Sequence, residues 1–266
     1  MSYITATGPP KTLDELARRE VSTTPAYTRL CGTGVIQGSD EWHAQRATSI
    51  GSSEAAAVFP SGISTTASPA ELWSKLCGTP VEKVFDAYAL AAMEQGKVME
   101  PVLRTELATL LRRPIYEAGV FKTTCEGLAV SISASPDGLI TNDDGTVVLA
   151  EFKWRMHASD WKGELGTTVF CQVQHQMHVI GCKSAYVYCG AHDERSLWLV
   201  QYSPSYFAMW LAWAQKLEQD VSDAKLTGRD KRLRSEAGSR AQTEEFLNLE
   251  KRRHTERAAP AQLRLK

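Results

Sequence analysis

Between positions 135 and 153 the chain reads Ser135-Pro136-Asp137-Gly138, a short hairpin, and then Glu151-Phe152-Lys153. Glu151 and Lys153 lie two apart on what reads as a strand, so both side chains leave on one face. Pro136 biases Ser135 to extended geometry and places Asp137 where a strand meets a turn. Gly138 allows an unusual backbone angle or the close approach of a ligand. Two carboxylates converging across a hairpin make a hard-oxygen site suited to Mg²⁺, with Mn²⁺ as a substitute. A lysine beside them can hold or help deprotonate a metal-bound water. This is equipment for hydrolysing a phosphodiester. The bland alternative is a surface Asp in a turn and an exposed Glu/Lys pair on a hairpin. Against it, Val147-Val148-Leu149-Ala150 is apolar throughout, as in an interior strand. Charges at the end of such a strand are partly buried and need each other or a metal.

Two further groups bear on that site. Glu100, in Gly96-Lys97-Val98-Met99-Glu100, supplies a third carboxylate if its helix crosses the sheet; standing alone it would be solvent-facing. Gln172 and Gln176 are one helical turn apart and share a face. Buried amides there can hold a phosphate oxygen or an attacking water, or make ordinary interhelical hydrogen bonds. His175 and His178 sit at i and i+3, but no third nitrogen or sulfur ligand stands at useful spacing, which disfavours zinc.

The elements that position these residues can be read along the chain. Ser39 caps a helix carrying Trp42 and Arg46, and a second short helix begins near Ser52 and Ser53. Ser68-Pro69-Ala70-Glu71 is a capping box with proline at the first helical position. A long helix spans roughly 85–111. Strands are expected over 114–122, 128–133, 139–141 and 147–153, with a hairpin turn at 142–145. A helix around 169–180, strands over 184–189 and 197–202, and a helix from Ser203-Pro204 to about 226 follow. Helices, a clustered sheet and more helices predict an α/β fold with a central mixed sheet.

Three regions are expected: a leader over 1–36 with one short helix at 12–20, a main domain over 37–224, and a charged extension over 225–266. The 266 residues are 43% hydrophobic with a net charge of −1, so any nucleic-acid surface must be a local patch. From Lys225 onward twelve Lys/Arg face six Asp/Glu, which reads as a solvated helix or a disordered tail. Six scattered cysteines include no CxxC pair, so neither a structural zinc nor a disulfide framework is expected. No apolar stretch is long enough for a membrane span and no signal core opens the chain, so a soluble cytoplasmic protein is expected.

Asp137 followed by Glu151-Phe152-Lys153 resembles the PD-(D/E)xK nuclease pattern, and the surrounding motifs resemble its phage lambda exonuclease (YqaJ-type viral recombinase) branch. The matching segments are S-D-E-W-H-A-Q-R at 39–46, I-G-S-S-E at 50–54, G-K-V-M-E-P at 96–101, S-P-D-G at 135–138, E-F-K at 151–153 and Q-V-Q-H-Q-M at 172–177. They occur in the family's order and cover roughly residues 39–205. The resemblance implies that Asp137, Glu151 and the main-chain carbonyl of Phe152 bind the catalytic metal, with Glu100 completing the acidic cluster. It implies that Lys153 orients or activates the nucleophilic water and that Gln172 lies beside the scissile region. Arg46 with Ser53, and the main-chain N–H groups near Ser52, would capture the 5′-phosphate of a DNA end. Trp42 would be a packing or DNA-end residue. The family often has Cys-Pro after its E-x-K motif, where Trp154-Arg155 stand here, and a tyrosine where Val169 stands.

The implied function is a Mg²⁺-dependent 5′-to-3′ exonuclease on double-stranded DNA with 5′-phosphorylated ends, releasing mononucleotides and leaving 3′ overhangs for recombination. The resemblance also implies a homotrimeric ring, a single-strand annealing protein as partner, and a phage or prophage gene. The alternatives are a PD-(D/E)xK endonuclease of restriction or repair type and a catalytically silent DNA-end-binding module.

Overall fold

The computed structural model describes residues 27–29, 39–60, 63–142, 144, 146–155, 163–192, 194–227 and 237–258. The helix expected over 12–20 lies outside the described residues. The chain forms β1 (Tyr27–Arg29), α1 (Asp40–Ala47), β2 (Ser49–Gly51), a 3-10 helix (Ser52–Val58), α2 (Pro69–Cys77) and α3 (Ala87–Leu111). Four strands follow, β3 (Phe121–Thr123), β4 (Ser131–Ala134), β5 (Gly138–Thr141) and β6 (Val147–Trp154). After α4 (Thr167–Ile180) come β7 (Ser184–Gly190), β8 (Arg195–Gln201), α5 (Pro204–Thr227), α6 (Ala237–His254) and β9 (Thr255–Ala258).

The mixed α/β architecture is present, with its strands divided between two sheets. One has the order β1-β3-β4-β2 and the other β5-β6-β7-β8-β9. Each contains one parallel pair, β2 with β4 and β6 with β7. Helix α4 joins them. Ten of its residues are buried, on all sides, because it packs against β3, β4 and the 3-10 helix as well as β7. By contrast α3 commits only its C-terminal half. Leu103 and Leu107 pack with Ile140, Val148, Ala150 and Phe152, whereas Tyr88, Leu90, Met93 and Val98 stay exposed. The capping box at α2 forms as its sequence implies: Ser68 Oγ accepts from Glu71 N and Glu71 Oε2 accepts from Ser68 N. Such a cap is worth about 1 kcal/mol.

Three expectations change. Residues 114–122 are not one strand: Tyr116 exchanges main-chain hydrogen bonds with Leu139 at the edge of β5, and the chain then leaves for the other sheet to form β3. The first half of 128–133 is also not strand, because the Glu218 carboxylate takes the N–H groups of Ala129 and Val130. Residues 237–258 are neither tail nor solvated helix. Helix α6 buries Leu247, Glu250 and Lys251, and β9 pairs with β8. Its charges are tolerated inside because they are paired. Glu250 accepts from the Ser203 and Ser205 hydroxyls, and Lys251 meets Glu164 at 3.2 Å. Among the described residues no helix is long and apolar enough to cross a membrane.

Candidate active site

Strand β6 outruns its neighbour. Its last pair with β5 is Ala150 opposite Gly138, yet β6 continues to Trp154. Asp137 fills the gap, its Oδ2 accepting from the Phe152 main-chain N–H at 2.8 Å. A strand residue's N–H and C=O leave on the same edge, so the Phe152 carbonyl opens beside the Asp137 carboxylate. Glu151 turns to α4 instead and is 1% exposed. Its Oε1 accepts from Lys153 Nζ at 2.5 Å and Gln172 Nε2 at 2.6 Å, and its Oε2 from Gln176 Nε2 at 2.9 Å. A carboxylate so buried is stable only when paired and hydrogen-bonded, and all three donors are here.

Burial, and after it the Glu151 charge, hold the Asp137 carboxyl well above the usual carboxylate range, with Lys153 offsetting only part. Glu100 is also raised, by burial against the pull of Arg104. Burial alone would lower Lys153, but Glu151 and Asp137 more than reverse it and keep the ammonium above its ordinary value.

Glu100 stands apart from the pair. Its Oε1 accepts from Arg104 at 2.6 Å, and the same guanidinium donates to the Asp137 carbonyl at 3.2 Å and to Glu117 at 2.5 Å. Among the described residues no three His, Cys, Asp or Glu side chains gather closely enough to hold a metal ion. Arg104 is a site residue that the sequence reading missed. Its spacing of four from Glu100 was the available signal.

The candidate phosphate anchor assembles around the end of β2. Arg46 donates to Ser53 Oγ at 3.2 Å, and its guanidinium lies 2.8 Å from where a Cβ on Gly51 would stand. Burial lowers Arg46 despite the nearby Glu54 charge. Glu54 caps the Gly51 N–H at 2.8 Å and meets Lys75 Nζ at 2.7 Å. Ser52 is buried, so of the two serines it is Ser53 that faces Arg46. The side chain of Trp42 lies outside the described residues. Gly51 lies opposite Ser133, so the anchor and the Ser135–Asp137 turn share one end of the sheet.

Several candidates take other roles. Gln172 and Gln176 hold Glu151 rather than presenting free amides. His175 is fully buried against Trp210 and lowered to about 3 by burial, and His178 bonds the Tyr202 hydroxyl. They serve as core residues. Gly138 is required by packing: a Cβ there would meet Ile115 at 2.5 Å. Trp154, in place of the family's Cys, lies against Gly190, where an added Cβ would be 2.9 Å from its ring.

The YqaJ-like viral recombinase domain profile matches residues 41–183, more than half of the chain. Among curated proteins, none matches the chain. An alkaline exonuclease, LHK-Exo, from Laribacter hongkongensis is similar in structure, with a TM-score of 0.56 and 22% identity over 71% of this chain and 98% of that one. Its complex with dAMP gives a TM-score of 0.52 and 19% identity over 79% and 100%. At that identity the likeness establishes the shared fold, of the PD-(D/E)xK type.

Proposed function

The chain belongs to the YqaJ-like viral recombinase family, and on that footing we propose that it is a Mg²⁺-dependent exonuclease degrading one strand of duplex DNA from a 5′-phosphorylated end. It would release mononucleotides and leave a 3′ overhang. The observation that carries this reading is that Asp137, bonded to the strand of Glu151 and Lys153, follows β4 at the end where its parallel neighbour β2 meets Arg46 and Ser53. The alkaline exonuclease activity named for the structural neighbour accords with it.

The donor set fits a hard cation. It is all oxygen, and burial, with the carboxylates of Glu151 and Glu100 adding to it, raises Asp137; a divalent ion relieves that concentration of negative charge. The Asp137 and Glu151 carboxylates and the Phe152 carbonyl would hold Mg²⁺, which supplies charge stabilisation at the scissile phosphate and an activated water. The protein's own groups do the rest. Gln172 and Gln176 fix the Glu151 carboxylate from α4. Lys153, held as an ammonium, donates from Nζ to orient the water and offset charge on the phosphate. Arg104 holds Glu100 and the Asp137 turn together. The Arg46 guanidinium and Ser53 hydroxyl receive the terminal phosphate.

The reading extends to a homotrimeric ring around DNA, an annealing protein as partner, and action in the bacterial cytosol on behalf of a phage or prophage. Analytical ultracentrifugation tests the ring. The reaction is tested on end-labelled linear duplex and covalently closed plasmid in Mg²⁺. Mononucleotides from 5′-phosphorylated ends with the circle intact are expected, and cutting of the closed circle favours an endonuclease instead.

A further inference from the structure

Three cations line the short edge strand β2. Arg46 reaches Ser53 beyond its end, Lys75 Nζ donates to the Ser49 carbonyl at 2.8 Å, and Lys122 Nζ donates to Thr48 Oγ1 at 2.8 Å. Their contacts therefore fall in order along residues 53, 49 and 48. Because β2 runs parallel to β4, and β4 leads directly into Ser135–Asp137, the catalytic carboxylates stand at the Arg46 end. Lys122 lies on β3, level with Gly51, but its side chain runs back to Thr48, the residue before β2, so its ammonium is held on the side away from them. Gly51, Ser133 and Lys122 form one cross-strand row, so the Lys122 side chain leaves on the face over which the Arg46 guanidinium lies.

The three are not equally neutralised. Glu54 pairs with Lys75 and acts on Arg46. Lys122 has only the Thr48 hydroxyl among the described residues. Burial, and then the like charge of Lys75, push its ammonium down. A partly buried cation beside a second cation is destabilised until an anion joins them.

We propose that Lys122, flanked by Lys75, forms a second phosphate site on the side of Arg46 away from the cutting carboxylates. The inference rests on the reading that Arg46 holds the terminal 5′-phosphate. The strand being cut ends at Arg46, so the second phosphate comes from one of two places. It is either a further phosphate of a 5′-triphosphorylated end or a backbone phosphate of the complementary strand.

The test is affinity against salt, by fluorescence anisotropy in EDTA, for wild type, Lys122→Gln and Lys122→Arg. Three duplexes serve as probes: a blunt 5′-monophosphate end, the same end with 5′-triphosphate, and the monophosphate end with the complement shortened by about three nucleotides at its 3′ terminus. Neutralising one phosphate contact lowers the slope of log K against log salt by about 0.9. Lys122→Gln is expected to show that loss and Lys122→Arg to retain the wild-type slope. Loss on the blunt end that vanishes on the shortened complement assigns the phosphate to the complementary strand. Loss confined to the triphosphate assigns it to the terminus. Equal slopes for wild type and Lys122→Gln on all three ends overturn the proposal, as does a Lys122→Gln variant that lowers only the melting temperature. Wild-type protein that cuts none of these ends in Mg²⁺ counts against the nuclease reading instead, since the slopes are read without cleavage.

Discussion

Gln176 donates its amide to Oε2 of Glu151 at 2.9 Å from a fully buried position on α4. Gln172, one turn earlier, takes the other oxygen at 2.6 Å. The orientation of the carboxylate is thus set by a helix that also packs against the sheet carrying the Arg46 anchor. The proposed cutting centre and end anchor are tied through one rigid element.

Replacing Gln176 with Leu should therefore affect both stability and rate. The lost bond to a charged group is worth about 1.5–3 kcal/mol, read by urea unfolding. The turnover number should fall more than KM rises, because Glu151 is misoriented while the DNA-binding surface is untouched. A variant with lowered stability and normal turnover would show that Gln176 only packs.

Lys153→Met and Asp137→Asn should each lower the single-turnover rate in Mg²⁺ by at least about 100-fold, the lower end of what a positioned proton-transfer or water-orienting group contributes. Lys153→Met should also destabilise the fold, since it removes the cation bonded to a Glu151 that is 1% exposed. Activity that survives either change at wild-type level would place the reaction elsewhere.

Metal and pH should act on stability in opposite directions at this site. The folded Asp137 and Glu100 carboxyls are raised, so the native state binds those protons more tightly than the unfolded chain does. Stability is accordingly lost as pH climbs from the unfolded carboxylate value, about 4, through the raised folded values. Mg²⁺ competes with the same protons, so its stabilisation should grow as pH rises. Thermal melts with Mg²⁺ and with EDTA from pH 5 to 8 test this. The gain should widen with pH in wild type and shrink sharply in Asp137→Asn. A gain independent of pH would mean that the ion binds elsewhere.

Much of this was legible in the sequence where local rules govern. The capping box at Ser68, the apolar run ending at Glu151 and the one-turn spacing of the two glutamines each carry their own physical signal. Arg104 was not legible as a site residue. Its i+4 spacing from Glu100 suggests an ordinary helix pair, and only the fold brings the Asp137 carbonyl to it. Residues 114–122 misled because two sheets share that segment, and nothing local says where it changes sheet. Residues 237–258 misled because composition counts charges without seeing that Ser203, Ser205 and Glu164 wait to pair them.

Arg46→Ala should weaken the preference for 5′-phosphorylated over 5′-hydroxyl ends. Loss of a charge-assisted contact of about 1.5–3 kcal/mol corresponds to roughly ten- to hundred-fold in Kd. Competition between the two ends for wild type and variant reads it directly, and an unchanged preference would remove Arg46 as the anchor. Arg46→Lys should recover only part, since an ammonium keeps the charge but not the fork that spans two oxygens.

Leu247→Ala separates the two readings of the C-terminal stretch. If that stretch were an extension contacting DNA, the change would be neutral for folding, because an exposed leucine contributes little. Leu247 is instead fully buried, carried by α6 into the main core, and Glu250 one turn on is tied to the hydroxyls that open α5. Truncating a leucine there should cost about 2–5 kcal/mol, seen as a lower urea midpoint with an unchanged m-value. The salt slope of DNA binding should be unaltered, since no phosphate contact is lost. A normal midpoint with a reduced slope would restore the extension to a DNA-binding role and detach α6 and β9 from the fold.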